Sequence, residues 1–302
     1  MAGPGRTTVV IVTKDRLAEL HRTLERLVDL PERPPVIVID NHSTDGSPES
    51  SRARFPGVRV VSLPANYGAA ARTVGARLAT TPYVAFCDDD SWWEPGSLQE
   101  AGDWLDADPE IGLVAGHVLV GPADTDDPTS TMMAEGALDE RLVRSPLGRR
   151  GVTGFLACAA VVRRAAFLAV GGFESHLGIG SEEELISLDL AEGGWKLVYA
   201  PGAIVHHYPS LRRDARLRRR LVVRNGLLTA LLRYSRVTIA GRALQALGSG
   251  ARSPGLWAGL AGAVASAPWA LARRRTVSST IEAAFVRPGA VRLSGAPAGE
   301  EA

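Results

Sequence analysis

Several features that would commit a chain to a simple class are scarce or missing. There are two cysteines, Cys87 and Cys158, each inside an apolar run. They allow no disulfide framework and no zinc spacing, and read as buried thiols in a reducing cytoplasm. An excess of charge of one sign is missing too: 34 Lys and Arg against 33 Asp and Glu leave a formal net charge of +1. That balance gives no general argument for nucleic acid as a partner. No G-x-G-x-x-G follows the first strand-like run, which removes the dinucleotide fingerprint of dehydrogenases. No internal repeat is visible. Met1 to Arg6 is too short and polar for a secretory signal, and a strand pattern begins at Thr7.

What is present alternates strand and helix. Val9-Val10-Ile11-Val12, Val36-Ile37-Val38-Ile39, 58–63 and Tyr83-Val84-Ala85-Phe86-Cys87 read as buried strands. Between them, 17–30 and 69–79 carry apolar residues at helical spacing, and a short helix opens at Pro48. Further on, 97–105, 163–170 and 182–192 read as helices; 111–120, 155–162, 196–199 and 204–207 read as strands. Residues 121–128 read as an acidic loop, and 137–151 carry little pattern. The alternation implies right-handed crossovers, a mostly parallel sheet flanked by helices, and a ligand site beyond the carboxyl ends of the strands. Asp15, Asp40 and Asp88 lie just past such ends and are expected on one rim.

Asp88-Asp89-Asp90 directly follows an apolar strand. Three adjacent carboxylates repel unless a cation or proton shields them. Alternate side chains share one side of a strand end, so Asp88 and Asp90 can converge on a hard cation such as Mg²⁺ or Mn²⁺. A solvated acidic turn is the plain alternative for this triplet taken alone.

Taken together, the motifs resemble family 2 glycosyltransferases with a GT-A, Rossmann-like nucleotide-sugar fold. The resemblance spans Val9 to about Ser210. Thr13-Lys14-Asp15-Arg16 looks like the opening loop that touches the nucleotide, and Asp40-Asn41 like the second strand end that meets the base. Asn66-Tyr67-Gly68 and Arg72 resemble the loop and helix entry before the metal motif. Asp88, Asp89 and Asp90 fall where the family has its DxD motif, and Pro95-Gly96-Ser97-Leu98 matches the turn after it. Gly171-Gly172-Phe173-Glu174 resembles the acceptor-side loop. Ser181-Glu182-Glu183-Glu184 matches the acidic opening of a helix, and His206 and His207 a strand end near the diphosphate or metal.

The resemblance implies inverting transfer from a nucleoside-diphosphate sugar to a hydroxyl, with Mg or Mn as cofactor. It implies donor contacts at Thr13, Asp15, Arg16, Asp40, Asn41, Asn66, Gly68, Arg72, Asp88 and Asp89. It implies metal contacts at Asp88, Asp90, His206 and His207. Glu183 is expected as the base, with Glu182 beside it and Glu184 not separated from them; all three open a helix, where the dipole favours ionised carboxylates. Trp93, Gly172, Phe173 and Glu184 are expected on the acceptor side, although Trp92 and Trp93 both read equally as a sugar or acceptor platform or as packing anchors. A nucleotidyltransferase is the main rival, but Thr13-Lys14-Asp15-Arg16 has no glycine to wrap a triphosphate. A binding protein that has lost its base is the second, and the intact carboxylates argue against it.

After Ser210 the character changes. Arg212, Arg213, Arg216, Arg218, Arg219, Arg220 and Arg224 punctuate a helical pattern, and 254–272 is apolar and rich in Gly and Ala. The basic helix reads as a phosphate-facing surface, a membrane-surface helix or a solvated face. The apolar run reads as a packed hairpin or a peripheral membrane contact rather than a span, with Ser266-Ala267-Pro268 as an interruption. The expected organisation is a GT-A domain at 1–210, a helical extension at 211–287 and a disordered tail at 288–302. The expected location is the cytoplasm, at the inner face of the plasma membrane if the extension docks there. The expected acceptor is lipid-linked or a glycan.

Overall fold

The computed structural model describes residues 5–135, 150–210, 214–248 and 254–286. Most of the weakly patterned stretch 137–151, Arg212, Arg213 and the tail 288–302 lie outside them.

The first half runs β1 (Thr7–Thr13), α1 (Leu17–Val28), β2 (Val36–Asp40), α2 (Ser47–Arg54), β3 (Arg59–Ser62), α3 (Ala71–Leu78), β4 (Tyr83–Asp88), β5 (Ser91–Trp93), α4 (Ser97–Ala107) and β6 (Ile111–Val120). Then come β7 (Thr125–Asp126), α5 (Pro128–Glu135), β8 (Arg150–Gly151), β9 (Ala160–Arg163), α6 (Arg164–Ala169), α7 (Glu182–Glu192) and β10 (Lys196–His207). Among the described residues, four helices follow: α8 (Ala215–Arg233), α9 (Arg236–Gly248), α10 (Pro254–Ala272) and α11 (Ser279–Val286).

One sheet holds the strands in the order β3-β2-β1-β4-β9-β6-β10-β5. The two-residue period of β1 divides the core. Val9 and Ile11 face the cluster with Leu20, Leu24 and Leu27 of α1 and Leu98 and Leu105 of α4. Val10 faces the opposite cluster with Ala76, Phe167, Ile186 and Leu190.

The sheet is mixed rather than mostly parallel. β3, β2, β1 and β4 pair in parallel, but β9 is antiparallel to both β4 and β6. β6 is thereby returned to the direction of β4, and β10 runs parallel to β6. The carboxyl ends of β1, β2, β4 and β10 consequently share one rim.

Other elements also differ from expectation. The runs 196–199 and 204–207 form one strand, because Pro201 and Gly202 bulge outward and the pairing resumes at Ile204. Within the apolar run 155–162 only 160–162 belongs to a strand, β9; Ala157–Ala159 is a 3₁₀ turn, a distinction that an uninterrupted apolar run does not encode. Helix α5 was not foreseen. Asp127 Oδ1 accepts from Thr129 N at 2.7 Å, and Pro128 opens the helix, a capping pair that reads as loop when only Pro is weighed. Pro268 lies inside α10 without ending it. α10 packs on α8 while α9 makes the return connection, so the apolar run is a packed helix of a hairpin-like unit.

Candidate active site

Thr13, Asp40, Asp88 and His207 end β1, β2, β4 and β10 on the common rim. Asp88, Asp90 and His207 bring one ligand atom each within 4.8 Å of one another. His207 Nε2 stands 3.4 Å from Asp90 Oδ1. Asp90 is fully buried, whereas the Asp88 side chain is 30% exposed and opens the group outward. Two carboxylates and an imidazole, with one side open, fit Mg²⁺ or Mn²⁺ held together with substrate oxygens. His206, the neighbour on the strand, faces the other way: its Nδ1 is 3.0 Å from Asp124 Oδ1 and its ring stacks on Trp92. It stays outside the group, as alternation along β10 requires.

Asp89 is turned inward. Its Oδ2 accepts from Thr13 Oγ1 at 2.9 Å, and its Oδ1 from Arg16 Nη1 at 3.0 Å. Arg16 Nη1 also reaches Asp90 Oδ2 at 3.2 Å. Burial pushes the Asp89 carboxyl up to about 7, with Arg16 pulling the other way. Thr23 Oγ1 donates to Asp89 O at 2.9 Å and Ser210 N to Asp90 Oδ2 at 3.1 Å. Thr13, Arg16 and Asp89 thus form the scaffold that aims Asp88 and Asp90.

The other residues expected on the donor side build the adjacent loops. Asp40 is buried and accepts from Ser43 N. Asn41 accepts from Tyr67 N at 2.9 Å and donates to Gly68 O at 3.0 Å, tying the β2 loop to the α3 entry. Asn66 Oδ1 accepts from Gly68 N at 2.9 Å. Gly68 has φ +57°, and a Cβ there would stand 2.7 Å from Gly178 O. Ala69 N donates to that same carbonyl at 2.8 Å, so the loop before α7 rests on the loop before α3. Asp15, at φ 53°, accepts from Thr44 N at 2.6 Å; that bond and Lys14 hold its carboxyl below the usual range. Asp15 and Arg16 line a groove of about 550 Å³ with His21, Arg22, Asp45 and Arg54. A second groove, of about 530 Å³, runs between Arg22, Gly121, Pro122 and Tyr208.

Arg72 joins the two halves of the site. Its side chain is buried and ion-paired with Asp88, and it also feels the charges of Glu182 and Glu183. Glu182 is 3% exposed, and its Oε2 has no hydrogen-bond partner among the described residues. Glu183 is half-buried. Burial, followed by repulsion from Glu183, pushes the Glu182 carboxyl up to about 8. Burial raises Glu183 too, with its own backbone N–H, Arg72 and Arg218 opposing. Burial thus opposes the helix dipole that was expected to keep these acids ionised. A helix-terminal charge interaction amounts to about 0.3–1 kcal/mol, and the loss of water around a buried carboxylate outweighs it.

The expected acceptor-side residues each have partners within the fold, and only Phe173 lies against a site residue, its ring under the Arg72 guanidinium. Trp93 is 1% exposed and its indole N–H donates to Phe86 O at 3.2 Å, so it is a core residue. Phe173 is buried against Phe86 and Phe167, and Gly172 backs onto Thr73, whose Oγ1 accepts from Phe173 N at 2.9 Å. Glu184 accepts from Tyr234 Oη at 2.8 Å and pairs with Arg242. Trp92 is half-buried between His206 and Tyr208, with Arg22 and Arg26 over its ring.

Asn225 was missed. It is fully buried in α8, and its Nδ2 reaches the carbonyls of Leu177, Ile179 and Gly180 at 2.8, 3.1 and 2.6 Å. It thereby fixes the loop that delivers Glu182 and Glu183. A lone amide in a leucine-rich helix was the available signal, because buried amides require partners.

A family model described as "Glycosyl transferase family 2" matches residues 8–171. The N-acetylglucosaminyl-diphospho-decaprenol L-rhamnosyltransferase of Mycobacterium tuberculosis (strain ATCC 25618 / H37Rv) is 31% identical over 66% of this chain and 75% of its own length. The succinoglycan biosynthesis protein ExoU of Rhizobium meliloti is 29% identical over 67% of this chain and 62% of its own length. Among solved structures, the mannosyltransferase PcManGT from Pyrobaculum calidifontis, in complex with GDP-Man and Mn²⁺, superposes with a TM-score of 0.57 at 22% identity, covering 93% of this chain and 74% of that one. GalNAc-T7 with UDP, GalNAc and Mn²⁺ gives 0.59 at 16% identity, covering 77% and 48%. These superpositions establish the GT-A fold.

Proposed function

The chain belongs to glycosyl transferase family 2, and on that premise we propose that it transfers a sugar from a nucleoside diphosphate to a hydroxyl with inversion at the anomeric carbon, assisted by Mg²⁺ or Mn²⁺. The observation that carries this reading is the buried Arg72, paired with Asp88 of the metal-type group and close in charge to the Glu182–Glu183 pair. Donor and acceptor chemistries would meet across one guanidinium.

In this reading Asp88, Asp90 and His207 would hold the cation, which supplies Lewis-acid stabilisation of the departing diphosphate. Thr13 and Arg16 hold the acidic turn in place through Asp89. Glu183, the more exposed of the pair, accepts the acceptor hydroxyl proton as that oxygen bonds to the anomeric carbon and the bond to the diphosphate breaks. A base with a raised pKa suits this step, since proton affinity near the working pH favours transfer. Glu182 is the buried neighbour that keeps the pair's proton affinity high. Asp15, Asp40, Asn41, Asn66 and Gly68 shape the nucleotide side.

The division of labour we propose assigns transfer to residues 1–210 and positioning to 211–287. The similarity to a relative named for a diphospho-decaprenol acceptor supports a lipid-linked acceptor at the cytoplasmic membrane face. The test is a transfer assay with Mn²⁺, a panel of nucleotide sugars, and polyprenyl-diphosphate-linked or free glycan acceptors. The reading requires release of a nucleoside diphosphate, and at least a hundredfold loss in Glu183→Gln. Release of pyrophosphate instead would favour a nucleotidyltransferase, and full activity in Glu183→Gln would remove the assigned base.

A further inference from the structure

We propose that one face of α10, with the arginines around it, docks this protein on an anionic lipid surface, the helix lying among the headgroups rather than crossing the bilayer.

Helix α10 has two contrasting sides. Gly255, Leu256, Gly259, Ala263 and Ala270 are buried, with the glycines set against α8. A Cβ on Gly259 would come within 2.8 Å of Arg220 O and Val223 Cβ, so the two backbones are in close approach. On the opposite side Trp257, Val264 and Leu271 are 54%, 74% and 56% exposed. Ala261 and Pro268 are exposed between them. The spacing 257, 261, 264, 268, 271 places all five on one stripe of a 3.6-residue helix, and none of them is polar. Seven of the eleven large apolar side chains exposed among the described residues belong to α8, α9 and α10, so this is where unburied apolar surface concentrates.

The charge pattern selects the occupant. Between Asp214 and Glu282 the sequence has twelve arginines and no lysine, aspartate or glutamate. Some serve the fold: Arg233 pairs with Asp189, Arg242 with Glu184, and Arg274 donates to the carbonyls of Leu231 and Tyr234. Others are exposed: Arg216, Arg218, Arg219 and Arg220 on α8, and Arg273 and Arg275 just past α10. The stripe ends at Arg273 and Arg275, the α8 arginines stand behind it on the buried side of α10, and no acid lies between Asp214 and Glu282, so this surface disfavours a second copy, which would bring like charges together. It suits acyl chains beneath anionic headgroups, with Trp257 and Arg273 as interfacial anchors at the two ends of the helix.

The length and composition of Gly255–Ala272 would also allow a span, but its neighbour forbids one. Gly255 lies beside Arg216 and Arg219, Gly259 beside Arg220, and Gly262 beside Arg224, so α8 runs alongside α10 in the same direction. Driving α10 through a bilayer would carry those arginines into hydrocarbon. The docked unit is also fastened to the site, because Asn225 and Tyr234 of the same assembly hold the α7 entry and Glu184. A docked enzyme would present Glu183 at a fixed height above the surface, which gives the lipid-linked acceptor proposed above a direct route. The docking itself does not depend on that reading.

The test is co-sedimentation of the full chain with phosphatidylcholine vesicles, with and without phosphatidylglycerol, at low and high salt. Binding to the anionic vesicles, weakened by salt, is expected. Val264→Glu with Leu271→Glu, both at exposed positions, should reduce it at least tenfold while circular dichroism and Mn²⁺-dependent nucleotide-sugar binding stay as in the parent. That last readout separates failure of docking from failure of the transfer reading. A parent protein that stays in the supernatant with anionic vesicles would overturn the proposal, as would a double variant that binds like the parent. So would a dimer, seen by light scattering and broken by the same substitutions, in a protein that ignores vesicles.

Discussion

The Tyr234 phenol donates a 2.8 Å hydrogen bond to Glu184 Oε1, and Arg242 Nη1 donates to Oε2 of the same carboxylate at 3.0 Å. Of three consecutive acids at the start of α7, the third is thus held by Tyr234, just past α8, and by Arg242 of α9, while Glu182 and Glu183 stand near Arg72 and the metal-type group. Charge content alone does not separate these three residues; their partners do.

Glu184→Gln should therefore behave as a stability variant. Replacing one member of a part-buried, hydrogen-bonded ion pair costs about 1–3 kcal/mol, read as a lower midpoint in chemical denaturation. Its turnover should remain within a few-fold of the parent, whereas Glu183→Gln should lose about two to four orders of magnitude in kcat with an unchanged midpoint or a higher one.

Stability should depend on pH through Glu182. Its folded-state pKa of about 8 lies above the ordinary carboxyl value. Between those two values the unfolded chain has released this proton and the folded chain still holds it. Stability thus falls as pH rises through that window and levels off above about 8. Glu182→Gln should melt higher than the parent at pH 8, and the difference should close by about pH 5. Transfer should show the opposite trend, rising with pH as the pair ionises. Calorimetric melting scans beside a pH–rate profile check both slopes.

Removing Arg72 should move that profile. Arg72→Met takes away the cation that opposes the raised pKa of both glutamates, so the ascending limb should shift to more alkaline pH. Breaking its pair with Asp88 should cost on the order of 3 kcal/mol as well. Arg72→Lys should recover part of the pH shift, which a purely structural defect would not allow.

The two adjacent histidines should differ in metal response. If the group holds the ion as proposed, His207→Ala should weaken Mn²⁺ binding at least tenfold, because it removes one of the three side chains placed to coordinate it. His206→Ala removes the contact with Asp124 and the stacking on Trp92, both outside the group, and should titrate with Mn²⁺ like the parent. Isothermal titration of the two variants distinguishes them.

Much of the rim at the ends of β1, β2 and β4 was legible because its signals are local. Val9 to Val12 and Tyr83 to Cys87 are buried β-branched or apolar runs that end in polar loops, and parallel βα order puts such ends on one rim. What failed depends on partners distant in sequence. Trp92 and Trp93, like His206 and His207, are neighbours whose fates are set by the antiparallel register between β5 and β10. Nothing in either dipeptide says which side faces the core. Asn225 matters because a loop some 45 residues earlier comes to rest on it. The raised pKa of Glu182 follows from burial, while the helix-start pattern carries only the weaker dipole.

The most direct test of the central claim is the melting temperature of the parent and of Asp90→Ala with Mn²⁺ and UDP-, GDP-, dTDP- and CDP-sugars. A ligand that binds only the folded chain stabilises it by mass action, about 2.7 kcal/mol at a hundredfold excess over Kd. The account predicts a Mn²⁺-dependent rise for at least one nucleotide sugar in the parent and none in Asp90→Ala. No rise with any of them, or the same rise in Asp90→Ala, would contradict it.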